Sequence, residues 1–175
     1  MKVPHDPDEV LAVVDENDTV IGKASRKEVH EKKLLHREVT SFLVNSKNEV
    51  LLQKRADAHI WDFSSGGHVP FSQSYSEAFM REFKEELGVK LGEKDFVAVM
   101  KEKIDSKSIT NYRFVTLFIV KKDIPVSSMK IDRAEIEEVK YFNKEALESL
   151  LSSPAHVITN ASKELLKRFV IGKFV

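Results

Sequence analysis

Residues 67–89, GHVPFSQSYSEAFMREFKEELGV, hold the pattern from which the rest of the chain is read. Ser74 followed by Glu77 makes an S-x-x-E capping box, so a helix is expected to begin near Tyr75, run to Leu87 and stop at Gly88. Tyr75, Phe79, Phe83 and Leu87 recur every fourth residue and form an apolar stripe that anchors the helix in a core. Beside that stripe, Glu82, Glu85 and Glu86 are related by i+3 and i+4 steps, which sends their carboxylates out on one face. At a separation of about 5 Å each pair repels by ~1 kcal/mol in water and by ~3 kcal/mol at an effective dielectric near 20, so the cluster favours a bound cation. Oxygen-only donors select a hard ion, Mg²⁺ or Mn²⁺, over zinc. The plain alternative is a solvated helix face, with Arg81 supporting Glu85 through an i,i+4 pair that contributes only a few tenths of a kcal/mol. The glycines at both ends and the capping pattern weigh against it.

Working outward, Val10 to Val14 and Thr19 to Ile21 read as short strands around Asp15, Glu16 and Asn17, and Ser25 caps a short helix that ends near Lys32. Thr40 to Asn45 and Glu49 to Arg55 form a second hairpin across Ser46, Lys47 and Asn48. Ser64 to Gly67 then reads as a polar, glycine-rich loop that delivers the chain to the acidic helix. Downstream, Asp95 to Lys103, Tyr112 to Val120 and Glu138 to Phe142 are strand candidates, with a polar loop from Asp105 to Thr110. Helices are expected over Lys144 to Leu151 and Ser162 to Phe169. Strands interleaved with helices predict an α/β (α+β) fold, a mixed sheet sandwiched between helices.

At 175 residues the chain has the length of one domain, taken as 1–175, with a single substantial core. Lys plus Arg and Asp plus Glu each number 28, so no global basic field recruits nucleic acid or an anionic membrane, and phosphate binding must be local. The start, MKVPHDPDEV, has no apolar run after its lysine, and nothing later has the length of a membrane span, so a soluble cytoplasmic protein is expected. The absence of cysteine removes disulfides, thiolate metal sites and cysteine nucleophiles together. Oligomeric state is left open, a homodimer being the commonest symmetric assembly.

The 67–89 segment resembles the Nudix box of the Nudix hydrolases, which reads Gly, five residues, Glu, seven residues, then Arg-Glu-apolar-x-Glu-Glu-x-Gly-apolar. Gly67, Arg81, Glu82, Phe83, Glu85, Glu86, Gly88 and Val89 match, and Gln73 stands where the family has its first glutamate. The stretches VVDENDTVIGKASRKEVH and LLHREVTSFLVNSKNEVLLQKR further resemble the branch related to type I isopentenyl diphosphate isomerase. Those isomerases use a cysteine beside the box glycine and a glutamate on a later strand, with histidines holding an additional metal. The corresponding residues here are Gly66 and Tyr112, so both acid–base groups are absent and the isomerase mechanism fails. His36 and His68 match two of the metal-binding histidines and His30 approximates a third, although a lone histidine is more often structural.

The resemblance implies a Nudix-like fold and Mg²⁺- or Mn²⁺-dependent hydrolysis of a small organic diphosphate, such as a nucleoside diphosphate derivative, by water attack on phosphorus. Glu82, Glu85 and Glu86, with the Gly67 carbonyl, would hold the metal. One of them, or Glu135 or Glu138 near the last strand, would take the proton from water, while Arg81 orients Glu85 or a neighbour. Arg37, Lys54, Arg55 and Arg113 are the cations that would meet phosphate oxygens, and Trp61 and Phe63 would stack on a base or pack in the core. The neutral Gln73 leaves a second class open, a Nudix-fold protein that binds ligand without hydrolysing it.

Overall fold

The structure is a computed structural model and describes residues 6–105, 112–154 and 157–175. It opens with a hairpin of β1 (Val10–Val14) and β2 (Val20–Ser25). Asp15 shapes the turn by accepting from the amides of Asn17 and Thr19, each at 2.9 Å. Helix α1 (Arg26–Glu31) follows, with the Ser25 side chain accepting from the Glu28 amide as its N-cap. The main sheet contains β3 (His36–Val44), β4 (Val50–Arg55), β5 (Trp61–Asp62), β6 (Ser65–His68), β7 (Phe96–Asp105), β8 (Tyr112–Lys121) and β9 (Ile136–Phe142). Its helices are α2 (Tyr75–Leu87), α3 (Lys144–Leu151) and α4 (Asn160–Leu165), the last running on into a π turn at Leu166–Val170.

The strand order is β5-β4-β3-β8-β7, with β6 added to β3 and β9 to β4. Strands β3 and β8 lie parallel, from His36 opposite Arg113 to Val44 opposite Lys121. Strands β3 and β4 pair only at Leu43 with Leu51 and Val44 with Val50, and then diverge. Past that point Glu38 to Ser41 pair with β6, while Gln53 pairs with Asp62 of β5 and Val139 of β9. The buried Ser64 hydroxyl sits at the fork, accepting from the Leu43 amide at 2.8 Å and donating to the Leu51 carbonyl at 2.5 Å. It satisfies two backbone groups that the parting strands would otherwise strand in the interior.

Helices cover both faces, as the mixed-sheet expectation required. One core gathers Phe42, Leu52, Leu117 and Ile119 under α3 and α4. The other packs Leu43, Leu51, Phe118 and Ile136 beneath Phe79, Phe83 and Leu87 of α2. The expected helices at Tyr75 to Leu87 and Lys144 to Leu151 are found at those bounds.

Three expectations are corrected. The stretch from Ser64 to Gly67 is not simply a loop, because Ser65–His68 forms a strand on the open edge of β3. Strand β3 begins at His36 rather than Thr40, since its parallel partner β8 supplies hydrogen bonds that far. The last helix starts at Asn160 rather than Ser162, where the Thr159 side chain caps it by accepting from the Ser162 amide. Past Asp105, the expected loop lies outside the described residues.

Candidate active site in the forked sheet

Local sequence places the acidic helix. The Ser74 amide donates to the Glu77 carboxylate at 2.8 Å while the Ser74 hydroxyl accepts from the Glu77 amide, and Gly88 closes the far end in the left-handed region at φ 71°. This fixes the rotation of α2 so that Glu82 and Glu86 turn inward beside the aromatic stripe, leaving them only 4% and 5% exposed. Glu85 stays at the surface side of the helix.

The glycines of β6 meet these carboxylates. A side chain on Gly67 would stand 2.4 Å from Glu82 Oε1, so this position accepts no Cβ while Glu82 points inward. The Gly66 amide donates to Glu86 Oε2 at 3.1 Å. Arg81 holds the cluster together: its Nη2 donates to Glu82 at 2.7 Å and to the His68 carbonyl at 3.3 Å, its Nη1 to Glu85 at 2.8 Å and its Nε to the Gln73 side-chain oxygen at 3.0 Å. Gln73 thus keeps the hydrogen bond of a glutamate without its charge. Burial, followed by the neighbouring Glu82, pushes the Glu86 carboxyl well above its usual range, and Glu135 adds to the rise. The two buried, neighbouring carboxylates form an oxygen donor set suited to a hard divalent cation.

These groups open into a cleft of about 950 Å³ at the fork, lined by Glu82, Glu86, Gly66 and Gly67 together with Glu135, Arg55 and Arg113. Arg55 pairs with Asp57 at 2.7 Å and lies 3.5 Å from Asp62, and Arg113 pairs with Glu38 at 2.8 Å. The other expected cations lie elsewhere. Arg37 pairs with Asp18 at 2.6 Å and Lys54 with Glu137 at 2.8 Å, and neither lines the cleft. Glu138 is exposed opposite Lys54 on β9 and also does not line it. Trp61 packs edge-on against Phe142, whereas Phe63 reaches the cleft wall.

At one end of the cleft His30, His36 and His68 converge, with one ring nitrogen from each within 4.8 Å of the others. Burial drives the His68 imidazole down to about 3, so it is neutral. Burial opposes charge on Glu38 beside it, but the surrounding His36, His68 and Arg113 outweigh it and hold the carboxyl at about 2. With His68 neutral, the permanently charged Arg113 is the partner that sustains this. Glu38, Arg26, Gln53 and Arg168, which the sequence did not single out, also line the cleft. The available signal for Glu38 was its place two residues after His36, on the same face of one strand.

Comparison with known proteins bears on the family and the fold. The chain is 29% identical to isopentenyl-diphosphate Delta-isomerase 2 of Photorhabdus laumondii, over 91% of each protein. It is 30% identical to an uncharacterized Nudix hydrolase of Pseudomonas aeruginosa, over 83% of this chain and 86% of that one. Among solved structures, DR0079 of Deinococcus radiodurans superposes with a TM-score of 0.70 at 23% identity, covering 91% of this chain and 98% of its own. The NUDIX domain model matches residues 34–169, a span that holds the forked sheet, the carboxylate helix and both glycines of β6. The chain belongs to the Nudix hydrolase family.

Proposed function

We propose that the protein hydrolyses a diphosphate bond in a nucleoside diphosphate derivative or another small organic diphosphate, using Mg²⁺ or Mn²⁺. The observation that carries this reading is the buried pair Glu82 and Glu86, packed on Gly66 and Gly67 and braced by Arg81 at the mouth of a cleft. When bound, such a cation neutralises diphosphate oxygens and acidifies water. Glu82 and Glu86 would hold it, with Glu85 and the Gly67 carbonyl completing the oxygen set. Arg81 acts as a positioning residue, since its guanidinium is spent on Gln73, Glu82 and Glu85. Glu135, in the cleft wall and close enough to raise Glu86, is the candidate to accept the proton of the attacking water. Arg55 and Arg113 are the cations in position to meet phosphate oxygens, each by exchanging an acidic partner for the substrate.

Isomerisation of isopentenyl diphosphate is disfavoured despite the similarity to isomerases. The chain has no cysteine, and Gly66 and Tyr112 stand where those enzymes carry their thiol and glutamate. Incubating the protein with Mg²⁺ and a panel of nucleotide sugars, dinucleotides, nucleoside diphosphates and prenyl diphosphates, and measuring released phosphate, tests the proposal. Turnover on at least one compound is expected, with no dimethylallyl diphosphate formed from the isopentenyl isomer. Tight binding without turnover across the panel would favour the ligand-binding alternative that Gln73 leaves open.

A further inference from the structure

Just past the split of β3 from β4, Thr40 stands on one arm of the fork opposite Gly66, and Gln53 on the other opposite Asp62. Both line the cleft and are buried, at 3% and 8% exposure. Among the described residues, Thr40 Oγ1 and Gln53 Oε1 have no hydrogen-bond partner. A buried oxygen left this way costs the fold its lost hydration, and native structures pair nearly all such groups. Polar groups nearby are already paired. The Ser64 hydroxyl holds Leu43 and Leu51, and Asp62 accepts from the hydroxyls of Thr159 at 2.8 Å and Ser162 at 2.6 Å. Gly66 keeps the space beside Thr40 open, since a Cβ there would stand 3.5 Å from Thr40 Oγ1.

The walls around these two oxygens are apolar. Phe63, Ile104, Val115 and Leu165 line the same cleft, and Phe63 is held edge-on by Phe42 at 5.7 Å between ring centroids. By area burial alone such walls suit a hydrocarbon chain as well as a flat ring. Thr40 and Gln53 break the tie. A hydrocarbon chain seals both oxygens from water and offers no bond in return. A planar group with N–H edges donates to Gln53 Oε1, while the Thr40 hydroxyl can accept or donate as the ligand requires. A site built to hydrogen-bond its ligand rejects an apolar competitor far more strongly than an apolar pocket can, because the competitor leaves buried groups unpaired.

We propose that Thr40 and Gln53 are specificity-determining residues that read a planar, N–H-bearing group on the substrate, of the nucleobase kind, and reject prenyl chains. This assignment rests on the cleft being a diphosphate site and names the group that the diphosphate carries. The carboxylate cluster and the cleft arginines act on phosphates, which both kinds of ligand share, so the choice between them falls to the two unpaired oxygens.

Equilibrium binding tests the assignment apart from turnover. Nucleoside 5′-monophosphates of the common bases and dimethylallyl monophosphate carry the same phosphate and no diphosphate bond to cleave. Each is titrated calorimetrically against the full chain in Mg²⁺. At least one nucleotide is expected to bind ~10-fold or more tighter than the prenyl phosphate. Gln53→Met and Thr40→Val remove the unpaired oxygens with little change of shape. Each should narrow that preference at least ~5-fold, by weakening the nucleotide and strengthening the prenyl phosphate. Thr40→Val should also melt no lower than the parent, because an unpaired buried hydroxyl adds nothing to stability, and a melting curve establishes that Gln53→Met is folded. A purely structural role would lower the melt and leave the preference in place. Prenyl phosphate binding as tightly as every nucleotide, no measurable nucleotide binding, or an unchanged preference in the folded variants overturns the proposal. If the phosphate-release panel finds no hydrolysis while the binding preference holds and narrows as described, the hydrolase reading fails and the subsite stands.

Discussion

Glu86 is buried and faces Glu82, which disfavours its charged form, while the Gly66 amide favours it and a cation joining the pair would favour it further. Replacing either carboxylate with its amide keeps volume and removes the charge that would bind metal. Glu86→Gln or Glu82→Gln is expected to lower turnover at least about a hundredfold, because metal stabilisation of the transferring phosphoryl group is normally the largest catalytic contribution. In EDTA, Glu86→Gln should melt no lower than the parent, since an unpaired buried carboxylate adds nothing to stability. Full activity of the parent in excess EDTA would sink this account. Gln73 makes a finer point, as its side-chain oxygen already anchors Arg81 at 3.0 Å. A glutamate there would keep that bond and add a negative charge near the N-terminus of α2. Gln73→Glu is therefore expected to lower the Mg²⁺ concentration at half-maximal rate while changing saturated turnover less than about tenfold. Superimposable metal titrations would remove any metal role for this position, and an inactive parent that gains hydrolysis would mark a retired catalytic site.

Strand β6 holds two adjacent glycines, Gly66 and Gly67. From sequence its glycines read as a loop, because glycine has low strand propensity and supplies no side-chain packing. The strand forms nonetheless, because β3 leaves an edge open once β4 departs, and at Gly66 only a residue without a Cβ fits so close to the β3 backbone. A Cβ at Gly66 would sit 2.9 Å from the Val39 carbonyl oxygen. Gly66→Cys is accordingly expected to displace β6 and reduce hydrolysis by disturbing the Gly66–Glu86 hydrogen bond. It should yield no dimethylallyl diphosphate, since Tyr112 still occupies the partner position; product analysis by chromatography checks both halves. Ser64 controls the same fork. Ser64→Ala leaves the Leu43 amide and the Leu51 carbonyl without its hydroxyl and is expected to cost about 1–3 kcal/mol in urea denaturation. A loss below a few tenths of a kcal/mol would show that the fork does not depend on it.

Over the whole molecule, the β1–β2 hairpin is locked to the main sheet through Asp18. Its carboxylate takes Arg37 of β3, the Tyr75 hydroxyl of α2 and Lys101 of β7, so four elements meet on one side chain. Burial would raise the Asp18 carboxyl, but hydrogen bonds from Lys101 and Arg37 outweigh it and hold it below the usual 3.8. A depressed carboxyl stabilises the fold above its unfolded value and loses that contribution as pH falls through the folded one. Asp18 also has φ 62°, a left-handed conformation that asparagine tolerates. Asp18→Asn thus isolates the charge and is expected to cost ~1–2 kcal/mol at pH 7, with the difference from the parent shrinking below pH 3.8. Equal differences in urea melts at pH 7 and at about pH 3 would refute the linkage.

Both caps of α2, its aromatic stripe and its acidic face are legible in the sequence, because these depend on contacts within a few residues and on the 3.6-residue period, whereas the burial of Glu82 and Glu86 with Glu85 left exposed follows from packing against β6. The acidic character of the site and the lack of any cysteine are legible there as well. Tertiary structure alone decided that β3 and β4 part to make the cleft, and that Arg55 and Arg113 line it while Arg37 and Lys54 bind acids elsewhere. It also decided that histidines from α1, β3 and β6 meet beside Glu38. A charged residue reads the same in sequence whether its strand register turns it toward a cleft or toward solvent, and that register is set by pairing between segments far apart in the chain.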